Sequence, residues 1–309
     1  MLSWIDNDKV PEQADAPLKV DWPRMIPFIS VHLVCLLAFW VGVSWVAVIT
    51  ALVLYAVRMF AITGIYHRYF SHRSYSTSRF TQFIFAVLGN SSAQRGPLWW
   101  AAHHRHHHRT SDMPEDRHSP RQSGFLWSHI GWISARANFH TELKLIPDFA
   151  KFPELRLLDR FDVVVPTILG FACYFFGKAL EIYYPELGTT GWQMLIWGFF
   201  ISTVAVAHAT FTVNSLTHLW GRPRYDAGDD SRNSLLIALI TFGEGWHNNH
   251  HHYQTAARQG HRWWEIDITF YVLWLMSCVG LIWNLKPVPA KLKGGKQAAA
   301  AAKTETVAS

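Results

Sequence analysis

Residues 25–72 read MIPFISVHLVCLLAFWVGVSWVAVITALVLYAVRMFAITGIYHRYFSH. Up to about Ile65 this stretch is almost continuously apolar. Roughly 40 such residues would make about 60 Å of helix at 1.5 Å per residue, twice the ~30 Å hydrocarbon core of a bilayer. One helix of that length does not fit, so the stretch predicts two spans with a turn near Val41 to Ser44. It ends on two histidines, His67 and His72, where the apolar run stops.

The rest of the chain repeats this arrangement of oily run followed by histidines. Apolar blocks run from Val163 to Tyr184 and from Trp192 to about Val213, separated by Gly188 to Thr190. The expected spans are therefore about 25–41, 44–65, 163–184 and 192–213. Lys and Arg fall in the segments between the two pairs and after them, while the short turns carry little beyond Lys178. Positive charge stays in the cytoplasm, so both termini and the loops at 66–162 and 214–285 are expected on the cytoplasmic side. The fold class expected is an all-α integral membrane protein, with four transmembrane helices in two hairpins under a cytoplasmic helical cap that holds a histidine-ligated di-metal site. A polar cytoplasmic tail (1–24), a main body of spans and cap (25–285) and a disordered low-complexity tail (286–309) complete the domain plan. Phe80 to Ala93 is read as a helix packed under the cap, and Ile266 to Trp283 as an interfacial or cap-packed helix, rather than as crossings.

Composition narrows the function. Half of the 309 residues are apolar, 16% are charged, and there are 16 tryptophans, a residue that favours membrane interfaces. The formal charge of +6 is spread over loops rather than one face, so nucleic acid is not expected as a partner. Cys35, Cys173 and Cys278 lie singly in apolar segments and form no C-x-x-C pair. The polar opening, with Asp6, Asp8, Glu12 and Asp15, is not a cleavable signal.

The histidines carry the chemistry. HRHHH places His104, His107 and His108 at i, i+3 and i+4, one face of a helix. HNNHH repeats the spacing with His247, His250 and His251, and NSLTH adds Asn214 and His218 at i, i+4. His67 and His72 are five apart, about 140° around an ideal helix, so each is expected to serve a different metal. Nine imidazoles are too many for one ion and enough for two. H-E-x-x-H is lacking. A transporter would hold its ligands within the spans near the midplane, whereas these cluster at one surface. His103, His106 and His252 point off the ligand face, and His118, His129, His140 and His261 are read as surface or structural groups. His32 and His208 lie in spans, with His208 a candidate partner for a ligating ring. Arg58, inside the second span, is read as snorkelling or pairing near a helix end. Arg222, Arg224, Asp226, Asp229 and Asp230 are read as a structural network over the cap, in reach of the ligands.

HRYFSH, WWAAHHRHHHRTSD, NSLTHLWGRPRYD and GEGWHNNHHHY closely resemble, in order and spacing, the boxes of the membrane fatty acyl desaturases of the stearoyl-CoA delta-9 type. The resemblance covers roughly Pro23 to Trp283. It implies two iron ions, with O2 as co-substrate, held by His67, His72, His104, His107, His108, His218, His247, His250 and His251, while Asn214 matches an asparagine that holds a metal-bound water. It implies removal of two hydrogens from adjacent methylenes to leave a cis double bond, and a bent acyl tunnel kinked at positions matching Gln94, Trp100 and Thr210. Arg136 keeps one basic position of the family's CoA phosphate site, while Ala102 and Ala137 stand where animal members have cations. The acyl carrier is thus open between acyl-CoA and acyl-lipid. Other partners implied are the lipid bilayer and a separate electron donor, either ferredoxin, a cytochrome b5-like protein or a reductase. The location implied is the bacterial inner membrane. A membrane di-iron lipid or alkane hydroxylase is the alternative enzyme, although the alkane-hydroxylase boxes carry Glu beside His, which is absent here.

Overall fold

The computed structural model describes residues 5–9 and 18–293; the tail expected to be disordered lies largely outside them. The chain is mostly helical. Among the described residues, four helices are long and apolar enough to cross a membrane: α1 (Trp22–Val41), α2 (Trp45–Ser71), α6 (Val164–Tyr183) and α7 (Gly191–His218). Between and after them come α3 (Arg79–Asn90), α4 (Pro97–Thr110), α5 (Pro153–Arg160), α8 (His247–His252) and α9 (Ile268–Cys278). α9 has 11 residues, about 16 Å at 1.5 Å per residue and too short to cross. An all-α reading misses one detail: Ser76–Thr77 pairs antiparallel with Ile282–Trp283.

Local signals explain the helix starts. The Ser44 side chain accepts from the Ala47 N–H, and Thr190 with Gln193 forms a capping box at the head of α7, each satisfying N–H groups that a helix start leaves free. The two interhelical turns meet at one end. Thr189 Oγ1 donates to Ser44 Oγ (2.9 Å), and Gln193 Nε2 donates to the Val41 carbonyl (3.0 Å). Phe39, Trp40 and Trp45 are almost fully exposed there, as aromatic side chains at a lipid–water boundary are.

At the opposite end, α2 runs on beyond the apolar stretch and packs with α3, α4 and α5. Ile62, Ile65, Tyr66 and Phe70 of α2 pack in one core with Phe85, Leu98 and Leu155. Tyr66 and α3 approach so closely that a Cβ at Gly89 would stand 2.0 Å from the Tyr66 ring. The start of α4 is held from outside itself: Asp159 Oδ1 accepts from the Leu98 and Trp99 N–H groups (3.0 and 2.7 Å). Burial pushes this carboxyl up to about 6, against those bonds. The helix carrying HRHHH is thereby fixed at its root by α5.

Arg58 does not snorkel. It is 1% exposed, and its guanidinium donates to Thr203 Oγ1 (2.7 Å), to Ser202 Oγ and to the Leu54 carbonyl. It ties α2 to α7 in the interior of the bundle. Both hydroxyls also donate to carbonyls of their own helix, so they are free to accept from the cation.

Candidate metal centre

The last 11 residues of α2, Ala61–Ser71, are wound as a π-helix. The His72 N–H donates to the His67 carbonyl, an i→i+5 bond that brings residues five apart one above the other. The two rings lie 4.8 Å apart and belong to one group. The expectation that they serve different metals fails because it assumed α-helical winding.

The nine imidazoles divide into two groups that could each hold an ion: His67, His72, His104, His108 and His250 in one, and His107, His218, His247 and His251 in the other. α4 and α8 face each other and exchange roles. α4 gives its i, i+4 pair to the first group and His107 to the second; α8 gives its pair to the second and His250 to the first. In the first group the Nε2 atoms follow one another at close spacing: His67 to His250 3.0 Å, His250 to His108 2.9 Å, His108 to His104 2.9 Å and His104 to His72 2.8 Å. In the second, His218 and His247 Nε2 are 3.1 Å apart, and His251 Nε2 is buried without a partner. Metal–nitrogen bonds of about 2.1 Å at right angles set ligand atoms about 3.0 Å apart, so these spacings fit imidazoles around a common ion.

Four carboxylates fix which nitrogen turns inward. His67 Nδ1 faces Glu244 (2.5 Å), His107 Nδ1 faces Asp116 (3.0 Å), His218 Nδ1 faces Asp112 (2.8 Å) and His251 Nδ1 faces Asp229 (2.5 Å). Each holds a proton on Nδ1 and leaves the Nε2 lone pair for the interior. Burial pushes His72, His104, His108, His247 and His250 well below the ordinary imidazole range; they are neutral, as ligands must be. Burial takes His251 down to about 4 despite Asp229. For Asp112 burial opposes ionisation, but the His218 ring prevails and brings the carboxyl down to about 2. Clustered neutral rings with their lone pairs turned together are a donor set for soft or borderline cations, and iron falls within it.

The anchoring groups were partly invisible in the sequence. Asp229 was placed in a network near the ligands, whereas Asp112, Asp116 and Glu244 were not singled out. Asp112 and Asp116 follow HRHHH within eight residues and Glu244 precedes HNNHH by three, so proximity to the boxes was the available signal. The asparagines inside HNNHH are buried braces. Asn248 Oδ1 accepts from the Arg224 and Tyr225 N–H groups (2.6 and 2.8 Å), and Asn249 donates to Glu265 (2.9 Å). Arg68 is 1% exposed and pairs with Glu244 (3.2 Å) and Asp267 (2.9 Å). Removing one member of a buried pair costs about 3–5 kcal/mol, so α2 is locked to the segment that leads into α8 and to the head of α9.

His208 does not support the nine rings. Its Nε2 lies 2.8 Å from His32 Nε2 and its Nδ1 3.0 Å from His129 Nε2; the carboxylates take the role expected of it. His118 is not a surface group: it is 5% exposed, 4.3 Å from the His107 ring and 3.5 Å from Asp116. His103, His106 and His252 belong to neither of the two groups.

A cavity of about 930 Å³ adjoins the first group, and Gln94, Trp100, Thr210, His104 and Asn214 all line it. Gln94 Nε2 donates to Thr210 Oγ1 (3.1 Å). It is held between Ala93 and Arg95, whose φ angles are 57° and 70°, a conformation that costs non-glycine residues energy and clusters at functional sites. Trp100 stacks on His104 with ring centroids 5.0 Å apart. A smaller space of about 30 Å³ is bounded by His67 and His104 on one side and His107, His247 and Asn214 on the other. Arg136 stands outside the cavity lining; it is exposed and pairs with Asp21 at 2.7 Å.

The fatty acid desaturase family model matches residues 43–274. The sn-1 stearoyl-lipid 9-desaturase of Anabaena variabilis is 36% identical over 271 residues, 87% of this chain and 94% of that protein. An enzyme of the same description from Synechocystis is 37% identical over 304 residues, covering 96% and 88%. The sn-2 palmitoyl-lipid 9-desaturase of Nostoc is 35% identical over 279 residues, covering 88% and 92%.

Proposed function

The chain belongs to the fatty acid desaturase family, and from that premise we propose that it is an oxidoreductase placing a cis double bond at delta-9 in the acyl chains of membrane glycerolipids, with two irons and O2. The observation that carries this is the pairing of five and four inward-turned imidazoles with an apolar cavity at their edge. In this reading His67, His72, His104, His108 and His250 hold one iron. His107, His218, His247 and His251 hold the other, with Asn214 beside it. Bound iron supplies the oxidising power that unactivated methylenes require. The small space bounded by residues of both groups has room for O2. The two methylenes give up two hydrogens with two electrons, a separate donor supplies two more electrons and solvent two more protons, and O2 would leave as two waters.

The protein's own part is position. The Gln94–Thr210 hydrogen bond and the Trp100 ring wall the cavity beside the first group. An acyl chain threaded past them presents one carbon pair to the metals, and the apolar walls exclude water. No group contacts carbons 9 and 10 as such; depth of threading sets the position.

Two observations favour a glycerolipid over acyl-CoA. The names of the three relatives given above describe lipid-linked acyl chains, although another, 34% identical, is named an acyl-CoA desaturase. The cations near the cavity also have acidic partners: Arg95 pairs with Asp162 (3.1 Å), and Arg24 and Arg136 share Asp21 (3.8 and 2.7 Å). A polyanionic CoA would have to displace those carboxylates, while a glycerolipid would not. The distribution of basic residues supports a cytoplasmic position for both termini and the metal centre.

Expression in a host that makes only saturated lipids is the test. The expected product is a cis-delta-9 bond in esterified chains, formed without release of the fatty acid. Hydroxylated chains, or desaturation of acyl-CoA alone, would contradict the reading.

A further inference from the structure

The large cavity does not end inside the protein. At its inner end it is lined by His104 and Asn214, and at its outer end by Phe171 and Phe175 of α6. Those two phenylalanines are 60% and 62% exposed, although they lie in the middle of a membrane-crossing helix. The same cavity therefore touches the metal centre at one end and the bilayer interior at the other. α1 and α6 form its two sides. Both pack against the first half of α7, which forms its back wall from Leu195 to Asn214. Nineteen residues of helix separate those two positions, a rise of at most about 28 Å at the α-helical 1.5 Å per residue, so the slot runs through much of the hydrocarbon layer.

α1 is suited to be one side of such a slot. Only 6% of its apolar window is buried, against 56% for α7. It is fastened at its ends: Val41 accepts from Gln193 (3.0 Å), and Asp21, just ahead of its first residue, pairs with Arg136. Pro27 in its interior lacks an N–H and lines the slot.

We propose that the acyl chain of a bilayer glycerolipid reaches the metal centre sideways, through the slot between α1 and α6, while its headgroup stays at the membrane surface. This rests on the glycerolipid reading above and adds the route. The occupant follows from continuity and chemistry. The slot opens at a depth where only acyl chains are present, its lining is apolar, and it leads to the Gln94–Thr210 pair without crossing an aqueous surface. A substrate that never leaves the bilayer needs no cation-lined mouth, which agrees with the paired arginines at the rim.

The test uses the iron-loaded enzyme in liposomes of phosphatidylglycerol bearing a mid-chain diazirine on one acyl group. On irradiation, label is expected on cavity residues including Trp100 or Gln94 as well as on Val31, Thr167 or Phe171. Label confined to outward residues such as Ile29 and Ile168 would overturn the route. In parallel, Val31→Trp with Thr167→Trp, both lining the slot, should remove the inner label and lower desaturation of unmodified liposome lipid at least tenfold at unchanged iron content. Ile29→Trp with Ile168→Trp, both outside the lining, should do neither. If wild-type enzyme desaturates liposome lipid and the plugged variant does so equally well, the lateral route fails and the glycerolipid reading survives. If wild-type enzyme acts on acyl-CoA but not on liposome lipid, the glycerolipid reading itself fails. Should the plugged variant not insert, labelling of the wild type decides alone.

Discussion

His107→Ala is expected to abolish turnover, a loss on the order of 10³-fold or more, equivalent to about 4 kcal/mol of barrier, and to lower bound iron from two per chain to one. His107 is one of four rings in the second group and the only member of that group contributed by α4. It is 3% exposed, and Asp116 turns its Nε2 inward. An alanine leaves three nitrogens and an uncompensated buried Asp116. The first group keeps all five of its rings, so one iron should stay. Membrane insertion should be unaffected, because α1, α2, α6 and α7 are untouched. Activity assays with iron quantification on purified protein read both effects; desaturation at the wild-type rate with two irons would exclude the ligand role.

The second large effect is expected at Asp112, which touches no substrate. Its Oδ2 accepts from His218 Nδ1 (2.8 Å) and from the Asp230 N–H (2.9 Å), and its Oδ1 accepts from Ser119 Oγ (2.6 Å). One carboxylate thus orients a ring and fastens two loops to it. Asp112→Asn puts an amide N–H₂ against a donor on one side or the other, freeing the His218 ring to turn. Loss of such a partner costs about 10–100-fold in metal affinity or activity, and that range is the expectation here, seen as iron released at lower chelator concentration. Asp112→Ala should be worse, because residue 112 has φ of 58°, where aspartate is better tolerated than alanine. Unchanged iron retention in Asp112→Asn would show that the ring is held by packing alone.

The four long helices were legible because a bilayer imposes a length and a hydropathy that few other structures share, and the stretch from Met25 to Ile65 is too long for one crossing. The HxxHH spacing was legible because three residues on one α-helical face must converge. What the sequence hid follows from departures from that geometry or from distant partners. The π-winding of Ala61–Ser71 placed His67 and His72 in one group, and nothing in a 3.6-residue period announces a change of winding. The roles of Asp112, Asp116 and Glu244 depend on which ring the folded chain brings to each carboxylate. His208 looked available as a partner because it is a histidine in the last span, but its side of α7 faces His32 and His129 rather than the two groups. Arg58 looked like a charge seeking water; its buried hydroxyl partners lie about 145 positions away in sequence.

Underlying all of this is the claim that nine rings, brought together from α2, α4, α7, α8 and the segment after α2, hold two irons rather than one or none. X-ray diffraction at the iron absorption edge, on protein purified from iron-replete cells, addresses it most directly. The account predicts two anomalous peaks per chain, one within the group of five imidazoles and one within the group of four. A single peak, or peaks lying outside both groups, would contradict it.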